Sequence, residues 1–548
     1  MMRCAGCVLL WALMLTGCAG EVSDISETGN YTSEADETKQ EDAETKIVSE
    51  EGEGSFEEDS EEKLMEEMTK QIKTTQFYKT PGNTNPIMTQ RFGADPYAMV
   101  YGDRVYFYMT ADAFEYDAKG NVIENSYSKI QSINVVSTDD MVNFTDHGAI
   151  QVAGSNGAAK WARNSWAPAA AWKMIDGKPK FFLYFADSGN GIGVLTADSP
   201  IGPWTDPIGG GLITRSVPNC ANVLWLFDPA VLVDDDGTGY LYFGGGVPQG
   251  RVADPGTGRV IRLGDDMISV AGEAKVIDAP YIFEDSGIHK FNDKYYYTYC
   301  SNWQVDAEGT AKYGFVNAEI VCMESDSPMG PFTLKEVILE NPGKVFGLYG
   351  NNHHCVFNFK DKWYITYHAR SMEKEMGIQK GYRSTHIEEF TMQPDGTIGK
   401  IRQTYKGRTQ LKYVDAFAVN SAVNVSMMSG TDSVGADEQA KKTGLGNMAL
   451  GNVNIGDFTE VQGVDFGQGA KSLTMHIRNV TGSEGAIQVR ADKLFGEVIA
   501  YIPLENGLDD EFEAYSAELL SEISGVHNLY FIAVKGEGFE VLDWQFEQ

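Results

Sequence analysis

Five polar or aromatic side chains each stand at the start of an apolar stretch that runs into a turn and then into an aromatic-rich stretch. These leading residues are Asp95, Trp166, Asp228, Glu284 and His353. Apolar stretches joined by turns such as Asp176-Gly177 and Asn292-Asp293 predict β-hairpins. If the hairpins are arranged radially, their leading side chains meet at one place. For any single aspartate before a proline, the alternative is an ordinary turn residue.

Converging carboxyl groups can perform acid–base chemistry on one bond. A protonated carboxyl group donates a proton to a leaving oxygen, and an ionised one activates water or attacks directly. A third carboxylate close by raises the pKa of the acid through like-charge repulsion. This division of labour is what glycoside hydrolysis requires. The spacing along the chain does not assign the roles, because the relevant distances are through space.

The returning aromatic stretches recur along the first two thirds of the chain. They begin near Val105, Phe181, Tyr240, Tyr295 and Trp363. Such recurrence is typical of repeated units that each bury a face on the next one. Five four-stranded units in a ring predict a five-bladed β-propeller over residues 76–408. Glycine-spaced alternating stretches over residues 414–548 predict a second domain, a β-sandwich (jelly-roll). The predicted fold class is therefore all-β.

The first 75 residues carry targeting signals rather than a folded domain. Residues 1–18 form a short apolar run after Arg3, too short to span a bilayer. The run ends in Leu-Thr-Gly-Cys, which resembles a bacterial lipoprotein signal, so Cys18 is the predicted lipidation site; an ordinary signal peptide with a chance cysteine is the alternative. Residues 19–75 are acidic and poor in aromatic side chains, which predicts a disordered tether. We expect a secreted protein, lipid-anchored to the bacterial cell surface.

The net charge narrows the classes of partner. The 548-residue chain has a formal charge of −34 and a pI near 4.6. Such a charge argues against nucleic acid and against an anionic membrane surface as partners. The membrane is expected as a partner only through the lipid anchor. The acidic balance suits a neutral ligand, such as a sugar.

Three acidic motifs in the predicted hairpins resemble those of glycoside hydrolase family 43. They are Phe92–Tyr97 (FGADPY), Phe227–Ala230 (FDPA) and Phe283–Lys290 (FEDSGIHK). The resemblance covers residues 80 to 405 approximately and is nearest to arabinofuranosidases and xylosidases of that family. It implies a five-bladed propeller that inverts anomeric configuration. It also implies Asp95 as general base, Glu284 as general acid and Asp228 as the group that raises the pKa of Glu284. Inversion predicts that the Asp95 and Glu284 carboxyl groups lie about 6.5–9.5 Å apart.

The same resemblance suggests three substrate-binding residues, Trp166, Arg383 and His353. Trp166 matches an aromatic residue that lines the sugar pocket, and a core tryptophan is the alternative. Arg383 matches an arginine that reaches sugar hydroxyls, and a surface arginine is the alternative. His353 matches an axial histidine near which many members hold a water-coordinated calcium ion. The resemblance therefore suggests a structural Ca²⁺ ion, although one histidine is a poor ligand set for it. No organic cofactor is expected.

The C-terminal part resembles a family 6 carbohydrate-binding module. The matching stretches include Val464–Gly467, Gly485–Arg490 and Leu542–Phe546. Sugar binding in such modules depends on exposed aromatic rings and a few polar groups. This chain has Phe512 where tryptophan is common and Asp543 where asparagine is common. We therefore expect the module to act at least as a packed partner of the propeller.

The leading functional hypothesis is an inverting exo-glycosidase. It would be an α-L-arabinofuranosidase that removes arabinose side groups from arabinoxylan, a plant cell-wall polysaccharide, or from its oligosaccharides. A β-xylosidase acting on xylo-oligosaccharides is the alternative within the same class, because the same three acids serve both substrates. A non-catalytic surface glycan-binding protein is the alternative from another class. A binding protein has no need of a base and an acid together.

Overall fold

The computed structural model describes residues 72–436 and 446–548. The predicted signal peptide, Cys18 and nearly all of the predicted tether lie outside the described residues. The strands before residue 400 are β1 (Ala94–Tyr101), β2 (Arg104–Thr110), β3 (Ser132–Thr138), β4 (Phe144–Gln151), β5 (Trp166–Ile175), β6 (Lys178–Ala186), β7 (Ile192–Ala197), β8 (Ala230–Val233), β9 (Gly239–Phe243), β10 (Gly258–Leu263), β11 (Val270–Ile277), β12 (Ile282–Phe291), β13 (Lys294–Ser301), β14 (Ile320–Ser325), β15 (Thr333–Leu339), β16 (His354–Phe359), β17 (Lys362–Ala369) and β18 (Ser384–Phe390). Three short helices are described, α1 (Ala307–Tyr313), α2 (Gly343–Phe346) and α3 (Ser371–Glu375). The predicted all-β class is confirmed.

These strands form five antiparallel sheets in chain order. The sheets are β1–β4, β5–β7, β8–β11, β12–β15 and β16–β18. The first strands of consecutive sheets contact one another, and β16 contacts β1. Apolar side chains of all five sheets form one large buried cluster, which includes Phe107, Tyr184, Tyr242, Tyr297 and Tyr364 on the second strands. The ends of five first strands are thereby brought close together.

The predicted hairpin turns have the backbone geometry that such turns require. Asp176 and Gly177 join β5 to β6 with φ of 51° and 77°. Asn292 and Asp293 join β12 to β13 with φ of 49° and 60°. Two-residue turns with positive φ match the twist of the strands, and glycine, asparagine and aspartate tolerate that conformation best. These turns fix the register of each hairpin and therefore the position of its leading residue.

The C-terminal part contains thirteen short strands among the described residues. They are β19 (Val414–Asp415), β20 (Asn420–Ser421), β21 (Asn424–Val425), β22 (Met427–Ser429), β23 (Asp432–Gly435), β24 (Met448–Val453), β25 (Phe458–Asp465), β26 (Ser472–Asn479), β27 (Gly485–Ala491), β28 (Val498–Leu504), β29 (Glu513–Glu518), β30 (Val526–Lys535) and β31 (Phe539–Glu547). Two six-stranded sheets contain all of them except β21. Side chains of both sheets, among them Leu473, Val489, Phe531 and Trp544, form a second buried cluster.

The C-terminal part is joined to the first sheet by backbone pairing. Strand β21 pairs antiparallel with β4 and becomes the fifth strand of that sheet. The segment 72–89 lies against both parts. The buried Lys79 ammonium donates to Ser426 O and, within the segment, to Pro86 O at 2.8 Å each, and Asn85 Nδ2 donates to Ile387 O on β18 at 3.1 Å. Burial lowers the pKa of Lys79 to about 7. Polar groups buried in this way must be paired where they lie, which fixes one arrangement of the two parts.

An ion pair at the same junction connects the two parts through side chains. The buried Asp146 on β4 accepts from Arg91 Nη2 at 2.6 Å, from Gln90 Nε2 at 2.7 Å and from Ser433 Oγ at 2.8 Å. Arg91 Nη1 donates to Asp432 Oδ1 at 2.5 Å.

No helix in the described ranges is long and apolar enough to cross a bilayer.

Asp146→Ala is expected to destabilise the protein by about 3 kcal/mol, because it leaves the Arg91 guanidinium and three further donors, one of them the Gly148 N–H, without their buried acceptor. Urea unfolding at pH 7 measures the loss. Asp198→Ala is the control, because Asp198 is 90% exposed beside Lys180 and exposed ion pairs contribute little. Equal losses in the two variants would contradict the proposed importance of the junction.

Candidate active site

The five leading residues lie at corresponding ends of the five first strands. Asp95, Trp166 and Glu284 are within the first residues of β1, β5 and β12. Asp228 lies two residues before β8, and His353 directly precedes β16. The three carboxylates and His353 are each at most 8% exposed. The structure therefore brings together the groups that the sequence singled out, in a buried setting.

Unusual backbone conformations aim these side chains. Asp95 and Asp228 have φ of 47° and 49°, and Ala167 and Asp285, which follow Trp166 and Glu284, have φ of 40° and 67°. The register of β1, β5 and β12 shifts at the same places. A bulge with a left-handed residue bends a strand and redirects its side chains, at a cost of about 1–2 kcal/mol per residue. Such strain at corresponding positions is typical of a functional site.

Asp95 is held by a buried cation. Its Oδ1 accepts from Arg383 Nη1 at 2.8 Å, and its backbone N–H donates to His368 Nδ1 at 3.1 Å. Burial alone would raise the pKa of Asp95, but the charge of Arg383 and the imidazoles of His368 and His353 lower it below its ordinary value. Asp95 is therefore ionised at neutral pH.

Arg383 is a buried residue rather than a surface arginine. Its Nε donates to Asp112 Oδ2 at 2.9 Å and its Nη2 to Asp112 Oδ1 at 2.8 Å, which is a bidentate pair. Its guanidinium also lies over the ring of Tyr127, 4.9 Å from the centroid. Burial opposes the charge of Arg383, but Asp112 and Asp95 raise its pKa well above the ordinary value.

The pKa values of Glu284 and Asp228 are both raised, in contrast to the lowered pKa of Asp95. Burial is the largest cause that raises the pKa of each carboxyl group, and the neighbouring carboxylates raise it further. Asp228 Oδ2 accepts the backbone N–H of Asp285 at 2.9 Å, which favours its ionised form. Glu284 Oε1 is buried and has no hydrogen-bond partner among the residues that the structure describes. Glu284 is therefore the group that keeps a proton.

His353 lies between the acids. Its Nδ1 is 3.6 Å from Asp95 Oδ1 and 3.8 Å from Asp228 Oδ2, and its Nε2 is 3.2 Å from Asp285 Oδ1. The neighbouring His354 is distinct, because its Nδ1 pairs with Asp285 Oδ2 at 2.6 Å. In residues 72–436 and 446–548, no group of three or more His, Cys, Asp or Glu side chains is arranged to hold a metal ion. A Ca²⁺ ion beside His353 would thus take most of its ligands from water.

Trp166, at the start of β5, is partly exposed. Its indole Nε1 donates to the carbonyl oxygen of Tyr127 at 2.9 Å, and the two rings meet edge to face with centroids 6.3 Å apart. An aromatic face that is held in place and left partly open can stack on a sugar ring.

Four residues near the acids were missed in the sequence. They are Asp112, Tyr127, Asp285 and His368. Asp112 follows β2 by two residues, so an acid just beyond a strand end was its available signal, whereas Asp285 lies within β12 directly after Glu284. Tyr127 and His368 carry no repeated pattern. Tyr127 lies in a loop, and His368 lies within β17.

Two positions of the C-terminal part that differ from the usual binding-module residues are buried. Phe512 is packed inside with the Arg478 guanidinium over its ring at 4.5 Å. Asp543 pairs with His476 Nδ1 at 2.5 Å. A buried ring cannot stack on a sugar, so Phe512 does not provide a sugar-binding face.

An ionised Asp95 beside a protonated Glu284 can act as a base and an acid in one reaction. The base takes a proton from water and the acid gives a proton to a leaving oxygen. A negative charge on Asp228 raises the pKa of Glu284.

Comparison with known protein families gives two matches. Residues 83–398 match the model of glycosyl hydrolases family 43, and residues 421–548 match that of carbohydrate binding module family 6. The first match contains Asp95, Asp228 and Glu284.

Several known proteins are similar over most of the chain. An arabinoxylan arabinofuranohydrolase of Paenibacillus polymyxa is 47% identical over 85% of this chain and 75% of its own length. One of Bacillus subtilis (strain 168) is 46% identical over 87% and 94%. A crystal structure of a glycoside hydrolase family 43 arabinoxylan arabinofuranohydrolase from Bacillus subtilis, in complex with cellotetraose, has a TM-score of 0.80 at 44% identity and covers 87% of this chain and 99% of its own.

Proposed function

The chain belongs to glycosyl hydrolases family 43, and from this membership we propose that it is an inverting α-L-arabinofuranosidase that removes arabinose side groups from arabinoxylan. The chain is a glycoside hydrolase. The names of its relatives at 46–47% identity support the substrate. The observation that carries the mechanism is the opposite setting of Asp95, held ionised by Arg383, and Glu284, held protonated beside Asp228.

In the proposed reaction, Asp95 accepts a proton from a water molecule while the water oxygen attacks the anomeric carbon. The bond from that carbon to the xylosyl oxygen breaks, and Glu284 gives its proton to this oxygen. Asp228 keeps the pKa of Glu284 high and binds the backbone N–H of Asp285 next to it. Trp166 stacks on the arabinose and Arg383 fixes Asp95. Attack by water opposite the leaving group inverts the anomeric centre.

The proposed architecture is a five-bladed β-propeller over residues 76–408 and a β-sandwich (jelly-roll) over residues 414–548. Five sheets whose first strands contact one another in cyclic order support the propeller. Two sheets with a shared apolar cluster support the sandwich. The site would then open at one end of the central channel.

We further propose a lipid-anchored protein on the bacterial cell surface. Leu15–Cys18 and the acidic composition of residues 19–75 support this location. Cys18→Ser should move the protein from the membrane fraction to the medium of a bacterial expression culture. Retention of the variant in the membrane fraction would contradict lipidation at Cys18.

A calcium ion near His353 also stays a proposal, and no step of the mechanism uses it. Its Lewis-acid charge would add to that of Arg383 near the carboxylates. Its removal with EGTA should lower the melting temperature, and added Ca²⁺ should restore it; an unchanged melting temperature would contradict a structural ion.

The proposed activity predicts arabinose as the product released from arabinoxylan by the purified full chain. Chromatography separates arabinose, xylose and oligosaccharides, and proton NMR in the first minutes should show the β-anomer. Asp95→Asn and Glu284→Gln should each lower kcat about 10³-fold. Glu284→Gln should lose far less on a 2,4-dinitrophenyl arabinofuranoside, whose leaving group needs no proton.

The exposed Asp198→Asn is the control and should keep full activity. Release of xylose instead of arabinose would assign a β-xylosidase. Binding of xylan without any release would overturn the enzyme and leave a glycan-binding protein.

Asp228→Asn should move the alkaline limb of the kcat/KM profile to lower pH. Glu284 acts in its protonated form, so activity is lost as pH rises through its pKa, and removing the Asp228 charge lowers that pKa. Asp235→Asn is the control, since Asp235 is 85% exposed and pairs with Lys290 away from the acids. An unmoved alkaline limb in Asp228→Asn would contradict the role of Asp228.

A further inference from the structure

The loop between β2 of the first sheet and β3 contacts the segment that precedes β18 of the last sheet, close to the carboxylates. Asn125 N–H donates to Lys380 O at 2.8 Å, and Tyr382 Oη donates to Ile123 O at 3.0 Å. The ring of Phe114 meets that of Tyr382 edge to face with centroids 4.8 Å apart. The loop 111–131 is thus tied to the segment 376–382, which leads into Arg383.

Two carboxylates fix this pair of segments from within. Glu115 Oε1 accepts from Ser126 N–H at 2.9 Å and from Ser126 Oγ at 2.7 Å. The fully buried Glu373 Oε2 accepts the backbone N–H groups of Lys380, Gly381 and Tyr382 at 2.9–3.0 Å. The residues that precede Tyr127 and Arg383 are therefore each held by a buried acceptor with several bonds.

Tyr127 follows Ser126 directly and touches two of the predicted substrate-binding residues, Trp166 and Arg383. Its carbonyl oxygen accepts from Trp166 Nε1 at 2.9 Å and from Asn164 Nδ2 at 3.3 Å. Its ring lies over the Arg383 guanidinium at 4.9 Å and meets the Trp166 ring edge to face. Its φ is 58°, a left-handed conformation that costs an aromatic residue free energy. Glycine would adopt that conformation at a lower free-energy cost. The contacts that the tyrosine ring makes with Arg383 and Trp166 offset this cost.

We propose that Tyr127 is a positioning residue of the active site, whose ring holds the Arg383 guanidinium against Asp95 and, through its edge-to-face contact, keeps the Trp166 indole in its hydrogen bond to the Tyr127 carbonyl oxygen. The proposal rests on the proposed function. A guanidinium on an aromatic face is stabilised and shielded from water, so it keeps its direction. Arg383 in turn holds the base of the reaction, and the effect of Tyr127 therefore falls on the chemical step.

The test compares Tyr127→Phe with Tyr127→Gly in the full chain. Phenylalanine keeps the ring, and glycine keeps the left-handed backbone without a ring. We expect Tyr127→Phe to keep kcat on arabinoxylan within about threefold. We expect Tyr127→Gly to lower kcat about 30-fold with KM changed less than threefold, which matches the loss of one shielded cation–π contact. Its melting temperature should stay near that of the wild type.

Hydrogen exchange of the Trp166 indole N–H gives a readout that does not need activity. Exchange should become faster in Tyr127→Gly and stay slow in Tyr127→Phe, with the resonance assigned by Trp166→Phe. Tyr116→Gly is the matched control, because Tyr116 is 56% exposed on the same loop. This control should leave both kcat and indole exchange unchanged.

Several outcomes would overturn the proposal. They are an unchanged kcat in Tyr127→Gly, a change in KM alone, or a Tyr127→Phe variant as poor as Tyr127→Gly, which would assign the effect to the hydroxyl group. Slow indole exchange in Tyr127→Gly would also overturn it. If the wild-type chain releases no sugar, the proposed function fails, and the exchange experiment still decides whether Tyr127 positions Trp166.

Discussion

The Arg383 guanidinium, buried between Asp95 and Asp112, is the interaction on which the site depends. Five carboxylates lie buried together, those of Asp95, Asp228, Glu284 and Asp285 at the ends of the first strands and that of Asp112 just after β2. Buried anions that share a site repel one another. Arg383 binds two of them directly. Its charge favours ionisation at Asp95 and leaves the Asp228–Glu284 side with an excess of negative charge. The pKa of Asp95 is therefore lowered and that of Glu284 raised, because the Arg383 cation lies at one side of the cluster.

The difference in pKa between Asp95 and Glu284 depends on the backbone conformation at the strand starts, which places ordinary acidic side chains at different distances from Arg383. Left-handed residues at the strand starts orient the carboxylates, and the Arg383 backbone N–H donates to Asp112, which joins the two loops at the site. Each left-handed residue costs free energy locally. The packed sheets below, with their tyrosine and phenylalanine clusters, hold the strands so firmly that the strained ends persist.

The leading residues were predictable because they share a position in a repeated hairpin. Alternation and turn residues place Asp95, Asp228 and Glu284 at strand starts, and the structure puts them there. Asp112 and Tyr127 were not predictable, since they reach the site from a loop with no repeat and act through space. The buried position of Arg383 could not be predicted either, because its partner Asp112 is 271 residues away in the sequence. The distinct contacts of His353 and His354 required coordinates, since neighbours in a sequence do not show which one faces the acids.

The pairing of β21 with β4 has a consequence for protein engineering. A C-terminal binding module is usually regarded as a unit that can be exchanged at a linker, whereas here two of its residues are the outer strand of a catalytic-domain sheet. A chimera with a different module would expose the edge of β4 as an unpaired template for aggregation. A workable graft has to keep residues 424–425, together with Ser426, whose carbonyl oxygen accepts from Lys79. An exchange of the module must therefore preserve the pairing with β4 first, and the length of the linker is a secondary choice.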